Sequence, residues 1–310
     1  MLRLVALWLP GRMTERGSCL VCGSAATAVL FAAKDHLVSG KDFVLKRCRA
    51  CSFIFTADPP DEKDIAKFYL SEDYISHSDK KYSLTDRLYH LARNYMLGKK
   101  YNLLRRMTGK EAGVLVDIGS GTGYFADYLN RKGWSVKGIE LSEKAREYSV
   151  SKFGLTVFSP LEISSIKDGC ADCVTLWHVL EHLYDPEMWL REIRRILKDD
   201  GKCIIALPNI KSADAGWFGN EWAALDVPRH LWHFSSETFR AFINEHGFIC
   251  EKVIPMPLDI YYIAALSYKN MGCRLPLVRG IVTGLFLTVR LLFKKDRASS
   301  LIYVVSKQRG

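Results

Sequence analysis

Val114-Leu115-Val116-Asp117-Ile118-Gly119-Ser120-Gly121-Thr122-Gly123 carries a buried strand straight into three closely spaced glycines. Residues 124–132 then read as a helix, so the glycines sit in a strand-to-helix turn. Glycine lets a backbone turn tightly and approach a ligand with no Cβ in the way. The helix start offers free N–H groups to a carboxylate or phosphate. The loop alone does not choose its ligand, because dinucleotide-binding sites use a similar device. Glu140 sharpens the reading. It follows Gly119 by 21 residues, at the end of the next predicted strand. There an acidic side chain can accept hydrogen bonds from both hydroxyls of a ribose.

Outward from this stretch, strands and helices alternate. Strands are predicted at 135–140, 155–158, 172–177, 202–207, 248–254 and 301–306. Helices are predicted at 142–153 with Ser142 as N-cap, at 186–197 with Pro186 in the first turn, and at 235–246. Such alternation argues for an α/β fold with a parallel sheet and crossover helices. No internal repeat is present.

The 310 residues suit one large domain and a small one. Hydrophobic residues are 48 % and charged residues 25 %, an ordinary globular balance. Net charge is +10, which permits nucleic acid, acidic lipid or a phosphorylated substrate as partner, or simply a basic surface. Residues 1–16 read as a tail. Their apolar start is too short for a membrane span and no small-residue cleavage site follows it, so a cytoplasmic location is expected. Residues 59–110, rich in Tyr, Lys and Arg, read as a helical linker or lid.

The cysteines divide by position. Cys19 and Cys22 form one CxxC pair, Cys48 and Cys51 a second, and 25 residues separate the pairs. Two such knuckles place four thiolates around a tetrahedral Zn2+, and a closed four-sulfur shell is structural. A unit at 17–58 has too little core to fold alone, so metal would supply much of its stability. The odd total of nine cysteines suits a reducing compartment. Cys170-Ala171-Asp172-Cys173 has no second pair nearby and reads as small core residues at a strand start.

The stretch 117–123, Glu140, residues 176–186 (Leu-Trp-His-Val-Leu-Glu-His-Leu-Tyr-Asp-Pro) and residues 195–201 together resemble class I S-adenosylmethionine-dependent methyltransferases. The resemblance implies a Rossmann-like sheet of seven strands, the last antiparallel, and S-adenosyl-L-methionine as cofactor. Carried over by position, Gly119 and Gly121 face the methionine part, with Asp117, Ser120 and Gly123 completing the loop. Glu140, beside Leu141, holds the ribose. Leu161 and Glu162 flank the adenine, and Trp177 and His178 line the site beside the sulfonium. Many relatives have an Asp at the end of the third strand, where this chain has Ser159-Pro160. The zinc module together with residues 226–235 (Asp-Val-Pro-Arg-His-Leu-Trp-His-Phe-Ser) resembles bacterial zinc-module methyltransferases related to deoxysugar C-methyltransferases.

Methyl transfer from a sulfonium is an in-line displacement that needs alignment and often a base. His230 is the first candidate, in a loop expected to cover the cofactor. His182 is second, with Glu181 placed to orient either of these two, and His178 is third. Trp217, Phe218, Trp222 and Trp232 crowd the same region, as an acceptor pocket or as core. Residues 258–297 form an insertion with helical apolar spacing and basic flanks. Three readings stay open for it: peripheral membrane contact through 275–297, a cap on the active site, or a dimer contact. The acceptor is expected to be a small molecule, sugar-like or lipid-linked. Alternatives are an RNA methyltransferase that binds nucleic acid through the zinc module and basic surface, and a non-catalytic zinc-module adaptor. Against RNA, the basic residues form no stripe interleaved with aromatics.

Overall fold

Near the N-terminus, apolar runs form three short antiparallel strands: Thr27–Lys34 (β1), Asp42–Cys48 (β2) and Ile54–Thr56 (β3). These belong to a computed structural model that describes residues 18–69, 84–291 and 294–308. A long helix, Leu84–Thr108 (α1), leads to the alternating part. There the chain forms Val114–Ile118 (β4), Tyr124–Asn130 (α2), Ser135–Ile139 (β5), Glu143–Phe153 (α3) and Thr156–Phe158 (β6). Ala171–Trp177 (β7), Pro186–Ile196 (α4) and Leu197–Pro208 (β8) follow. The remainder is Ala213–Phe218 (α5), the two-residue strand Trp232–His233 (β9), Ser236–Glu245 (α6), Phe248–Met256 (β10), Asp259–Asn270 (α7), Pro276–Leu291 (α8) and Ser300–Lys307 (β11).

Local chemistry sets these boundaries. The Ser142 hydroxyl caps α3 by accepting from the Ala145 N–H, and Gly154 ends that helix in the left-handed region. Asp185 caps α4 in the same way, with Pro186 in the first turn. Trp189, Leu190, Ile193 and Ile196 share one buried face of α4.

The main sheet has the order β10-β11-β8-β7-β4-β5-β6. From β6 to β8 its strands are parallel, while β11 runs antiparallel to both β8 and β10. This is the seven-stranded arrangement with an antiparallel last strand that the sequence predicts. Strand β4 has β5 on one side and β7 on the other, so strand order reverses there. In open α/β sheets the crevice for a ligand opens at such a switch point, beyond the carboxyl ends of the strands. Strand β7 is buried along almost its whole length, as a central strand must be, and Cys173 sits inside it.

The N-terminal strands do not close on themselves. Their sheet has the order β1-β2-β3-β9, with Ile54 opposite His233 and Phe55 opposite Trp232. Phe53 packs on Phe234 with ring centroids 5.0 Å apart, and the two share a core with Phe239 and Tyr303. Three short strands bury too little alone, and the main domain supplies the missing strand and apolar surface. Residues 258–297, read as one helical insertion, form two helices, α7 and α8; Leu292 and Phe293 lie outside the described residues, as do residues 1–16 of the tail. Of the expected lid, 65–69 and 84–108 are helical.

Candidate active site

The glycine loop is tied to its neighbours by backbone bonds. Gly119 N–H and Ser120 N–H both donate to the Ile139 carbonyl, at 2.8 and 3.1 Å. Gly119 has φ +73°, and a Cβ there would run into the Val179 side chain. No other residue fits, because the loop after β4 and the loop after β7 touch at this point. Gly121 has φ +55°, and nothing lies within 4 Å of where its Cβ would stand. That space is the cradle.

Glu140 is held ready at its rim. One carboxylate oxygen accepts from Gly121 N–H and the other from Ser142 N–H, both at 2.8 Å. Each oxygen keeps lone pairs for a hydroxyl. Two buried polar atoms near the loop, Ser120 Oγ and Trp177 Nε1, have no hydrogen-bond partner. Ser120 Oγ lies over Gly138 of β5, beneath the loop, so of the two the Trp177 indole N–H is the donor a polar ligand could meet. Leu141 and Leu161 are 68 % and 59 % exposed at the ends of β5 and β6, where a flat apolar group could rest on them. The Glu162 carboxylate turns back instead. It accepts from Ser159 N–H and Ser159 Oγ, both at 2.8 Å, and caps its own turn.

Asp117 lies beneath the loop, 3 % exposed. The Thr175 hydroxyl donates to it at 2.6 Å. Burial pushes its carboxyl up to about 6, although the Thr175 bond and Lys100 oppose the shift. Lys100, from α1, hangs over the Trp177 ring at 4.2 Å, and burial brings its ammonium down to about 8. The sequence offered no signal for Lys100, because its contacts are distant in the chain.

Past β7 the structure gathers a knot of histidines. His178 takes a left-handed backbone, φ 56°, which is uncommon outside glycine and recurs at functional sites. Its Nδ1 lies 3.4 Å from Glu181 and its Nε2 3.8 Å from Asp259. Burial works against charge on His178, but Glu181 and then Asp259 raise its pKa above the ordinary value. Glu181 is 1 % exposed and neither carboxylate oxygen accepts a hydrogen bond. It therefore leans on the nearby imidazoles for compensation. One ligand-type atom each from Glu181, His182 and His230 lies within 4.8 Å of the others.

His182 Nδ1–H donates to the Arg229 carbonyl at 3.0 Å, and burial brings its pKa down to about 4, so it stays neutral. His230 Nδ1–H donates to the Ala224 carbonyl at 2.9 Å. His233 meets Thr56 of β3 at 3.0 Å, and burial brings it down to about 3. The His178 side chain is 35 % exposed, against 10 % for His230. Glu181 faces His178 more directly than the sequence suggested.

Arg229 anchors this loop to the N-terminal strands. It pairs with Asp35 at 3.0 Å and Asp226 at 2.7 Å, and Arg229 and Asp35 are almost fully buried. The aromatic cluster resolves mostly into core. Trp222 and Phe218 are buried, and Trp222 Nε1–H donates to Asp214. Trp232 Nε1–H donates to the Leu183 carbonyl. Trp217 is 52 % exposed and packs on Phe286.

The four N-terminal cysteines converge. Cys19 and Cys51 sulfurs are 3.4 Å apart, Cys22 and Cys48 sulfurs 3.6 Å, and all four lie within 4.8 Å of one another as free thiols. Each knuckle closes on a left-handed residue, Gly23 or Ser52, whose N–H returns to the carbonyl of Cys19 or Cys48. The cage could hold one tetrahedral metal ion.

The sequence profile described as a methyltransferase domain matches residues 89–253, just over half of the chain. The chain belongs to this methyltransferase family. Among curated relatives, a ubiquinone biosynthesis O-methyltransferase of Caulobacter vibrioides is 30 % identical over 143 residues, 42 % of this chain and 57 % of that protein. One from Xanthomonas oryzae pv. oryzae is 28 % identical over 129 residues, 39 % of this chain and 54 % of that protein. A probable S-adenosylmethionine-dependent methyltransferase of Mycobacterium tuberculosis is 24 % identical over 119 residues, covering 37 % and 43 %. This methyltransferase thus spans about half the length of the curated relatives it matches. A solved structure of a sarcosine dimethylglycine methyltransferase, so described for Galdieria sulphuraria, superposes with TM-score 0.48 at 18 % identity, covering 72 % and 88 %. The assignment of the fold rests on the strand order of this methyltransferase itself.

Proposed function

We propose that this protein transfers a methyl group from S-adenosyl-L-methionine to a small-molecule acceptor, sugar-like or lipid-linked, with a histidine as general base. One observation carries the reading: the open space at Gly121, the amide-held Glu140 and the half-buried His178 stand on the turns that follow β4, β5 and β7, the three adjacent strands at the sheet switch point. When bound there, the cofactor supplies an electrophilic methyl on a sulfonium, whose departure leaves a neutral thioether. Glu140 binds the ribose through the lone pairs left by Gly121 and Ser142. Asp117, buried and adjacent, offers negative charge toward the methionine ammonium. His178 Nε2 takes the acceptor's proton while Glu181 faces Nδ1 and steadies the imidazolium that forms. His182 and His230, tied to backbone carbonyls, hold the loop that carries them. The relatives named for ubiquinone biosynthesis support a hydroxyl on a hydrophobic molecule as acceptor. The four-cysteine cage is read as a structural Zn2+ site, since four sulfurs leave no open position for chemistry.

The test is calorimetric titration of zinc-replete protein with the cofactor, then transfer of labelled methyl into a fractionated extract. Binding weakened about a hundredfold or more by Glu140→Ala is expected, from the loss of two hydrogen bonds to a charged group at about 1.5–3 kcal/mol each. No binding of the cofactor or its demethylated product would end the proposal.

A further inference from the structure

Helix α8 is apolar on both sides. Gly280, Thr283, Gly284, Leu287 and Leu291 form the buried side, and the first three of these meet α7. A Cβ on Gly280 would stand 2.6 Å from the Ala265 backbone, and one on Gly284 2.6 Å from the Tyr261 ring. The two helices are therefore clamped by small residues, as helices in apolar surroundings often are. The opposite side carries Leu277, Val278, Ile281, Val282, Leu285 and Val289, each between 44 % and 66 % exposed. Met271 and Leu275 in the connecting turn extend this surface. Water would ordinarily select polar residues at such positions.

Charge around the face is one-sided. Residues 260–297 contain Asp296 as their single acid, while Lys269, Arg274, Arg279, Lys294, Lys295 and Arg297 are all cationic. A second copy packed face to face about a two-fold axis would press these cations against their own equivalents. An anionic bilayer surface complements them. No helix among the described residues is long and apolar enough to cross a membrane, so the geometry is that of a helix lying in the interface.

We propose that the outer face of α8, with its flanking Lys and Arg side chains, seats this protein on an anionic lipid surface. The inference does not depend on which acceptor is methylated. The hairpin starts beside the site, since Asp259 in the first turn of α7 lies 3.8 Å from His178. Docking therefore places the crevice close to the lipid.

Cosedimentation of the full chain with phosphatidylcholine vesicles, with and without phosphatidylglycerol, tests this. Binding is expected only to the anionic vesicles and should weaken as salt rises. Val282→Asp with Leu285→Asp should reduce partitioning roughly tenfold or more. Arg274→Ser and Lys295→Ser should each reduce it about fivefold. These side chains are exposed, so unchanged thermal melts should show the variants folded. Failure to bind anionic vesicles at low salt would overturn the proposal, as would wild-type binding by the folded double Asp variant. A dimer that the double Asp variant dissociates would assign the face to a second copy and overturn it equally.

Discussion

Asp117→Asn should make this protein more stable and a poorer binder of its cofactor. The Asp117 carboxyl stands at about 6, against an ordinary 3.8, with burial as the leading cause. The folded state therefore holds that proton more tightly than the unfolded chain does. Stability falls as pH rises from the lower value to the higher, and at pH 7 the whole penalty is present. A shift of about two units corresponds to about 3 kcal/mol. Asparagine removes the ionisation and keeps an oxygen for the Thr175 hydroxyl, which now donates at 2.6 Å. Two effects offset the gain. Lys100 loses an anionic neighbour, and the new amide N–H must find a partner, which costs about 1–2 kcal/mol if it fails. A net stabilisation of about 1–2 kcal/mol should raise the melting temperature by roughly 1.5–3 °C in a chain of this length. Scanning fluorimetry of the apo protein at pH 7 and pH 5 measures it. The penalty relieved at pH 5 should be about half as large. Calorimetry with S-adenosylmethionine should show roughly tenfold weaker binding or more, since a partly desolvated charge pair is lost. An Asn variant that melts lower at pH 7 and binds the cofactor as tightly as wild type would refute the argument.

Three further outcomes follow from the histidine knot and the metal cage. Glu181 raises the pKa of His178, so the acid limb of the kcat–pH profile should lie above the ordinary histidine value, with activity lost as pH falls through it; Glu181→Gln should move that limb to lower pH, and an unmoved limb would exclude His178 as the base. Arg229→Ala strands the carboxylates of Asp35 and Asp226 in the interior and should cost about 3–5 kcal/mol in urea unfolding. Chelation, or Cys48→Ser, should lower the melting temperature of the whole protein in one transition, because Phe53 and Phe55 share a core with Phe234; an early, separate transition of a small part would contradict that shared core.

What the sequence disclosed is what is written locally. The strand at Val114–Ile118, the glycines that turn after it, the Ser142 and Asp185 caps and the carboxylate at 140 all depend on neighbours a few residues away, and all stand where they were read. The four cysteines were legible for the same reason, since spacing within each knuckle fixes its turn. Strand β8 is longer than predicted because residues 198–201 bulge out of a strand they appeared to precede: the register with β7 shifts between Ala171 and Cys173. Non-local partners were hidden. Nothing in a two-residue strand at 232–233 announces that it pairs with residues 54–55, and nothing in a basic helix singles out Lys100. The left-handed backbone of His178 was equally invisible, since it belongs to the turn where the next residue, Val179, comes against the distant Gly119.

The pairing of β9 with β3 gives the cysteine-bearing strands a task beyond holding an ion. They act as a splint for the segment that carries His230 and His233: Thr56 donates to the His230 carbonyl at 2.7 Å, and Asp35 neutralises the arginine next to it. Deleting residues 1–58, with α1 and the whole seven-stranded sheet left in place, would strip that splint away. The crevice would keep its glycines and Glu140, yet lose the scaffold that sets the opposite wall. Such a fragment should still bind the methyl donor while failing to turn over.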